Sequence, residues 1–186
     1  MRTYLKIAAL AVAGALAVAC SEGPDPTTPM AELAELATAD AQRSTPLGRC
    51  FGRPVTIAAV PGVPTVGTPG QDVIEGTAGD DIIDGNGGGD FICGRGGNDL
   101  IACGGPADPI ANCAVDGGPG NDTIECGPGN DLCEGGPGDD IVRGDRGDDT
   151  VRGDEGTDIV DGGPGNDVCT DPQGGTFINC ELTANR

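Results

Sequence analysis

Aspartate recurs at every ninth residue over more than half of this chain, and a carboxylate at fixed spacing is the raw material for binding a hard cation. Asp72, Asp81, Asp90, Asp99 and Asp108 form one run, and Asp122, Asp131, Asp140, Asp149, Asp158 and Asp167 form a second, displaced by five residues. A run of acids that merely solubilises a surface has no reason to keep this register. Other site chemistries are poorly supplied. With no histidine in 186 residues, Ser-His and Cys-His catalysis and histidine-metal hydrolysis are excluded. There is no EF-hand loop, and without histidine or a closely spaced cysteine pair a zinc site has no ligands.

The aspartates are held in a repeat. Counting from Gly67 to Thr170 gives eleven nonapeptide units with Asp at the sixth place of each, interrupted after the fifth by five extra residues, Asn112 to Asp116. A period this strict requires a solenoid. Composition agrees, since 3 Phe, 1 Tyr and no Trp cannot fill an ordinary globular core, while 35 Gly and 15 Pro suit a chain of turns.

These units resemble the repeats-in-toxin family, hemolysin-type nonapeptides of the form Gly-Gly-x-Gly-x-Asp-x-(Leu/Ile/Val)-x. The resemblance covers 104 of 186 residues. It implies an all-β fold, a parallel β-roll or two-sheet β-solenoid, with calcium held in its turns by the eleven aspartates. It also implies a calcium-free array that is disordered and folds on meeting the ion outside the cell.

Each place in the unit has a physical task. Glycines at places one and four are expected to let the turn take positive φ and bring carbonyls towards an ion. Place eight points inward and is small or β-branched: Ile74, Ile83, Ile92, Ile101, Ile110, Ile124, Cys133, Val142, Val151, Val160 and Cys169. Two units make one coil, so residues 18 apart stack at a strand spacing of roughly 4.8 Å. Asp131 then lies over Asp149, and Asp149 over Asp167. At about 5 Å and an effective dielectric near 20, each pair repels by about 3 kcal/mol. The stack needs a cation.

Calcium suits it, as a hard ion that takes six to eight oxygens. A site shared between a turn and the second turn beyond it allows up to about nine ions. The fifth unit departs from the pattern, with Cys103 and Pro106 in place of both glycines, which weakens the sites around Asp90, Asp108 and Asp131.

The N-terminus reads as a lipoprotein-type signal peptide over residues 1–19. Arg2 and Lys6 precede an apolar run from Ile7 to Ala19, too short to span a bilayer, and Ala17-Val18-Ala19-Cys20 resembles a lipobox. Cys20 is the expected lipidation site. Removing it from the nine cysteines leaves eight, enough for four disulfides in an oxidising compartment. Stacking pairs Cys103 with Cys126, and Cys169 with Cys180 would staple the last unit. Cys50 with Cys93 and Cys113 with Cys133 complete the set. Residues 20–48 form a flexible tether in which Met30 to Gln42 reads as a short helix. Residues 49–66, through Val55-Thr56-Ile57, supply a capping strand, 67–170 the β-roll, and 171–186 a C-terminal cap.

Three functional classes follow. The first is a calcium-binding structural or adhesive lipoprotein of the cell envelope, at the outer membrane or cell surface, or else a soluble secreted protein without lipid. The second, an enzyme, lacks a domain to carry it. The third is a calcium reservoir or sensor, against which four disulfides argue. The formal charge of −20 makes nucleic acid an implausible partner. Apolar residues at place seven could form a surface for an unknown partner. Three Arg-Gly-Asp triplets, starting at Arg143, Arg146 and Arg152, are by-products of the repeat.

Overall fold

The computed structural model describes residues 49–105 and 111–184. The signal segment, Cys20, the tether with its expected helix, Asp108 and Ile110 lie outside the described residues.

Places one to six of each unit form the turn and leave only places seven to nine to pair as strand, so most strands are three residues long. They stack in two parallel sheets. One sheet runs β4 (Thr65–Val66), β6 (Ile82–Asp84), β8 (Leu100–Ala102), β10 (Thr123–Glu125), β12 (Ile141–Arg143), β14 (Ile159–Asp161) and β16 (Thr176–Ile178). The other runs β3 (Ile57–Ala58), β5 (Val73–Glu75), β7 (Phe91–Cys93), β9 (Ala114–Asp116), β11 (Leu132–Pro137), β13 (Thr150–Glu155), β15 (Val168–Thr170) and β17 (Leu182–Ala184). Successive strands alternate between the sheets, and like places pair with like, for example Ile124 with Ile101 and Val142. The chain is a two-sheet β-solenoid.

Because strand side chains alternate, place eight of every unit falls on the inner face. Ile74, Ile83, Ile92, Ile101, Ile124, Cys133, Val142, Val151, Val160 and Cys169 are all at most 1% exposed and form one core. Full burial of an Ile contributes about 1.5–3 kcal/mol. One coil adds two such residues, so the core grows only by repetition.

The fifth unit corrects the ninefold register. The strand that takes its place is β9, paired with both β7 and β11, so Val115 occupies the core position assigned to Ile110. Cys113 holds the place assigned to Asp108, with its carbonyl accepting the N–H of Leu132 as an aspartate carbonyl does elsewhere. In sequence the extra residues therefore precede Asn112 rather than begin with it. Insertion into a turn preserves the ladder, whereas insertion at 112–116 would break it.

The ends continue the solenoid: β3 and β4 extend the two sheets before the first repeat, and β16 and β17 extend them after the last. The capping strand is Ile57–Ala58, one register step beyond the expected Val55-Thr56-Ile57. Val55 instead packs with Cys50, Val73 and Cys93. Cys50 belongs to a hairpin of β1 (Arg49–Cys50) and β2 (Arg53–Pro54) that lies on β5 and β7 of the larger sheet, on its outer face. Phe51 meets Phe91 edge-on at 6.1 Å, and the Arg53 guanidinium sits 3.9 Å over the Phe91 ring. Place seven is thus covered at Val73, while Ile82, Leu100 and Ile159 on the smaller sheet are exposed.

Four disulfides close. Cys50–Cys93 and Cys169–Cys180 match the sequence pairing. The remaining four cysteines pair as Cys103–Cys113 and Cys126–Cys133, in place of the expected Cys103–Cys126 and Cys113–Cys133. Stacked side chains in one column point the same way, whereas residues on opposite walls of the core face each other, as a bridge requires. Cys103, Cys113, Cys126 and Cys133 are all buried in that core.

Candidate metal sites along the aspartate columns

The turns place the aspartates in two columns. Asp72, Asp90, Asp131, Asp149 and Asp167 each precede a strand of the larger sheet. Asp81, Asp99, Asp122, Asp140 and Asp158 precede strands of the smaller one. All ten are buried, at 0–6% exposure. Acidic residues are almost never so buried without a partner.

One oxygen of each carboxylate has a structural task. The N–H of Asp72 donates to Oδ1 of Asp90 at 2.8 Å, that of Asp122 to Oδ1 of Asp140 at 2.7 Å, and that of Asp149 to Oδ1 of Asp167 at 2.8 Å. The same bond joins Asp81 to Asp99, Asp99 to Asp122, Asp131 to Asp149 and Asp140 to Asp158. Each column is a ladder of carboxylates bonded from coil to coil.

The other oxygen is left over. Oδ2 of Asp90, Asp99, Asp122, Asp131, Asp140, Asp149, Asp158 and Asp167 is buried with no hydrogen-bond partner. One buried, unpaired carboxylate oxygen is costly, and two columns with four each cannot be sustained without a counter-charge. Burial raises the Asp99, Asp131 and Asp140 carboxyls to about 7 and the Asp90, Asp122 and Asp149 carboxyls to about 6. Accepted backbone N–H bonds lower them, and the charges of neighbouring carboxylates raise them further.

The glycines make room for this arrangement. A Cβ at Gly85, Gly94, Gly117, Gly135 or Gly144 would strike Oδ2 of the aspartate in its own unit and a backbone carbonyl in the next coil. Place one is therefore glycine for space, not for positive φ. The left-handed residues stand at places two and four: Asn86, Arg95, Asp145 and Asp154 at place two have φ of 65° to 82°, and Gly138 at place four has φ of 150°. Carboxylate Oδ2 atoms and turn carbonyls thus share one narrow strip. Among the described residues no three His, Cys, Asp or Glu side chains converge on a point. The donor set is all oxygen and largely backbone, which fits calcium and no soft metal.

Two features were not read from the sequence. In the first two units, the N–H groups of Thr68 and Thr77 donate to Oδ2 of Asp72 and Asp81, both at 2.6 Å, and the Thr68 hydroxyl adds a bond of 2.8 Å to Asp72. Oδ2 of both carboxylates is thus bonded within its own turn, while the buried Oδ1 of Asp81 has no partner. Threonine at place two, where later units carry Gly, Asn, Asp or Arg, was the available signal. The second is a ladder at place five: the N–H of Asn121 donates to Asn98, that of Asp139 to Asn121, and that of Asn130 to Asn112. The placing of Asn112 in that ladder confirms the corrected register.

Cys113 breaks the column of the larger sheet. Its N–H still donates to Oδ1 of Asp131 at 2.7 Å, but its sulfur is tied to Cys103. Four aspartate-over-aspartate pairs remain beside the smaller sheet and three beside the larger. That makes seven such pairs among the described residues. The triplet arginines Arg143 and Arg152 are paired with Glu125 and Glu134.

A parallel two-sheet solenoid whose turns bury files of half-satisfied carboxylates is a cation-binding β-roll. Residues 66–101, 115–142 and 134–169 match the RTX calcium-binding nonapeptide repeat (4 copies), and over them the chain belongs to that family. The interval between the first two matched stretches holds the extra residues and Cys113. No match was found among the curated proteins or the solved structures.

Proposed function

We propose that the chain is an exported, non-catalytic calcium-binding β-roll, held to the cell envelope by a lipid on Cys20 and serving there as a structural or adhesive module. The observation that carries the calcium part is the set of eight buried Oδ2 atoms without partners, four in each column. Export is supported by disulfides that need an oxidising compartment and by the apolar segment ahead of Cys20. On this reading 20–48 is the tether and 67–170 the ion-loaded arm.

Circular dichroism during calcium titration against EDTA tests the first part: β-signal unchanged by chelation would sink it. Mass spectrometry of the mature N-terminus tests the second, with a diacylglyceryl Cys20 expected and a free Cys20 thiol counting against the anchor. A second reading, a calcium sensor, is favoured by the bridges. Cys103–Cys113 and Cys126–Cys133 span only 10 and 7 residues, so they do not fasten one interior coil to the next. A steep transition at ambient extracellular calcium would favour sensing, and saturation far below it a permanent scaffold.

A further inference from the structure

The repeat pattern ends at Thr170, yet the carboxylate ladder does not. Beyond Asp167 the chain makes one shortened coil, in which Leu182 pairs with Val168 and its N–H donates to the Asp167 carbonyl at 3.1 Å. Val168 makes the same bond to Asp149. The residue before Leu182 therefore occupies place six, and it is Glu181.

Its carboxylate behaves as an aspartate of the array. The Asp167 N–H donates to Oε2 of Glu181 at 2.7 Å, across a separation of 14 residues where the interior ladder uses 18. The Cys169–Cys180 bridge, with Cα atoms 5.9 Å apart, fixes the neighbouring residue against the last full repeat. Asp167 itself is fully buried, and its Oδ2 has no partner. Its surroundings repeat those of Asp149, whose N–H is likewise spent on the next carboxylate and whose Oδ2 is likewise unpaired.

The other column ends at Asp158. Thr176 pairs with Ile159 and its N–H donates to the Asp158 carbonyl, so the residue at place six of the next coil is Gly175, which has no carboxylate. The buried Asp171 nearby accepts the N–H groups of Gln173 at 2.8 Å, Gly174 at 2.9 Å and Gly175. Only the column of the larger sheet is continued by a carboxylate beyond the last repeat.

We propose that Asp167, the last aspartate of the nonapeptide pattern, and Glu181, which lies past residue 169 where the family match stops, hold a further calcium ion at the C-terminal end of the roll. This rests on the calcium reading of the array. The site takes the same hard divalent cation, with Glu181 as the exposed ligand, so it is the most open to exchange.

The test counts calcium ions bound to the disulfide-intact chain by native mass spectrometry and by calorimetric titration, for the parent and for Glu181→Gln. Glutamine keeps a carbonyl oxygen to accept the Asp167 N–H but removes the charge. One ion fewer, or one site weakened at least tenfold with the others unchanged, is the expected result. An unchanged count and unchanged affinities would overturn the proposal while leaving the calcium reading intact, whereas a parent that binds no calcium overturns both. Should Glu181→Gln unravel the last coil, Glu181→Asp, which installs the array's own place-six residue, is expected to keep the parent count. A lost ion there counts against the site.

Discussion

Replacing Asp140 by asparagine should change stability with opposite sign in the presence and absence of calcium. Asp140 lies inside the column of the smaller sheet, between Asp122 and Asp158, and is 1% exposed. Its Oδ1 accepts the Asp122 N–H at 2.7 Å, and its own N–H donates to Asp158 at 2.9 Å. Asparagine can keep both bonds and loses only the charge. Without calcium that charge is a burden: burial, and then the charges of Asp122 and Asp158, raise the carboxyl from 3.8 to about 7. A shift of that size converts to about 4 kcal/mol, and allowing for solvent screening leaves a relief on the order of 2 kcal/mol at neutral pH. With calcium the same charge is a ligand in two sites, shared with Asp122 and with Asp158. Losing it should weaken each at least tenfold, about 1.4 kcal/mol apiece or more. The assay is urea unfolding followed by far-ultraviolet dichroism, in EDTA and in excess calcium. The variant should gain β-signal or midpoint in EDTA and lose midpoint in calcium. A shift of the same sign in both would refute the account of Oδ2 as the ion's ligand.

Acidification should act on the whole file at once. Because Asp90, Asp99, Asp122, Asp131, Asp140 and Asp149 are raised to between about 6 and 7 in the folded array, it binds protons that the unfolded chain has released. In EDTA the β-signal should therefore grow as pH falls from 7 towards 4 and be lost as pH rises through 6 to 7. In calcium the trend reverses, and calorimetry in buffers of different ionisation enthalpy should show protons released on binding. Ile124→Ala, at a fully buried core position, should cost about 2–5 kcal/mol in the calcium-loaded chain by urea midpoint. Peptide mapping of the unreduced protein should recover Cys103 joined to Cys113 and Cys126 to Cys133. A Cys103–Cys126 peptide would contradict the cross-core geometry.

Most of the fold was legible because the period carries it. Place eight needed only to be apolar and small, and the stacking of Ile101, Ile124 and Val142 follows from counting. The count failed where the chain departs from nine. Asp108 has the right residue at the right interval, but Asn112, Ala114 and Val115 better satisfy the neighbours on both sides. A ladder tests a unit by its two partners, while a linear count tests it by one. The same cause explains the cysteines, since the Cys103–Cys126 expectation used the direction of stacking alone. Glu181 escaped notice because four residues are missing from its coil. Thr68 and Thr77 escaped because their contribution is a backbone N–H, which place two offers or withholds through its conformation.

The short spans of Cys103–Cys113 and Cys126–Cys133 have a mechanical consequence. Each is a rung across the roll rather than a rail along it. Beyond Cys93, to which the 43-residue Cys50–Cys93 bridge ties the N-terminal end, a load applied along the long axis is resisted by strand hydrogen bonds and shared ions. Coils should then peel one after another, each 18-residue step paying out about 60 Å of chain. The rung at Cys103–Cys113 withholds ten of its residues, about 35 Å, from such a step. Calcium concentration would set the force at which extension begins, and the bridges the length released at each step.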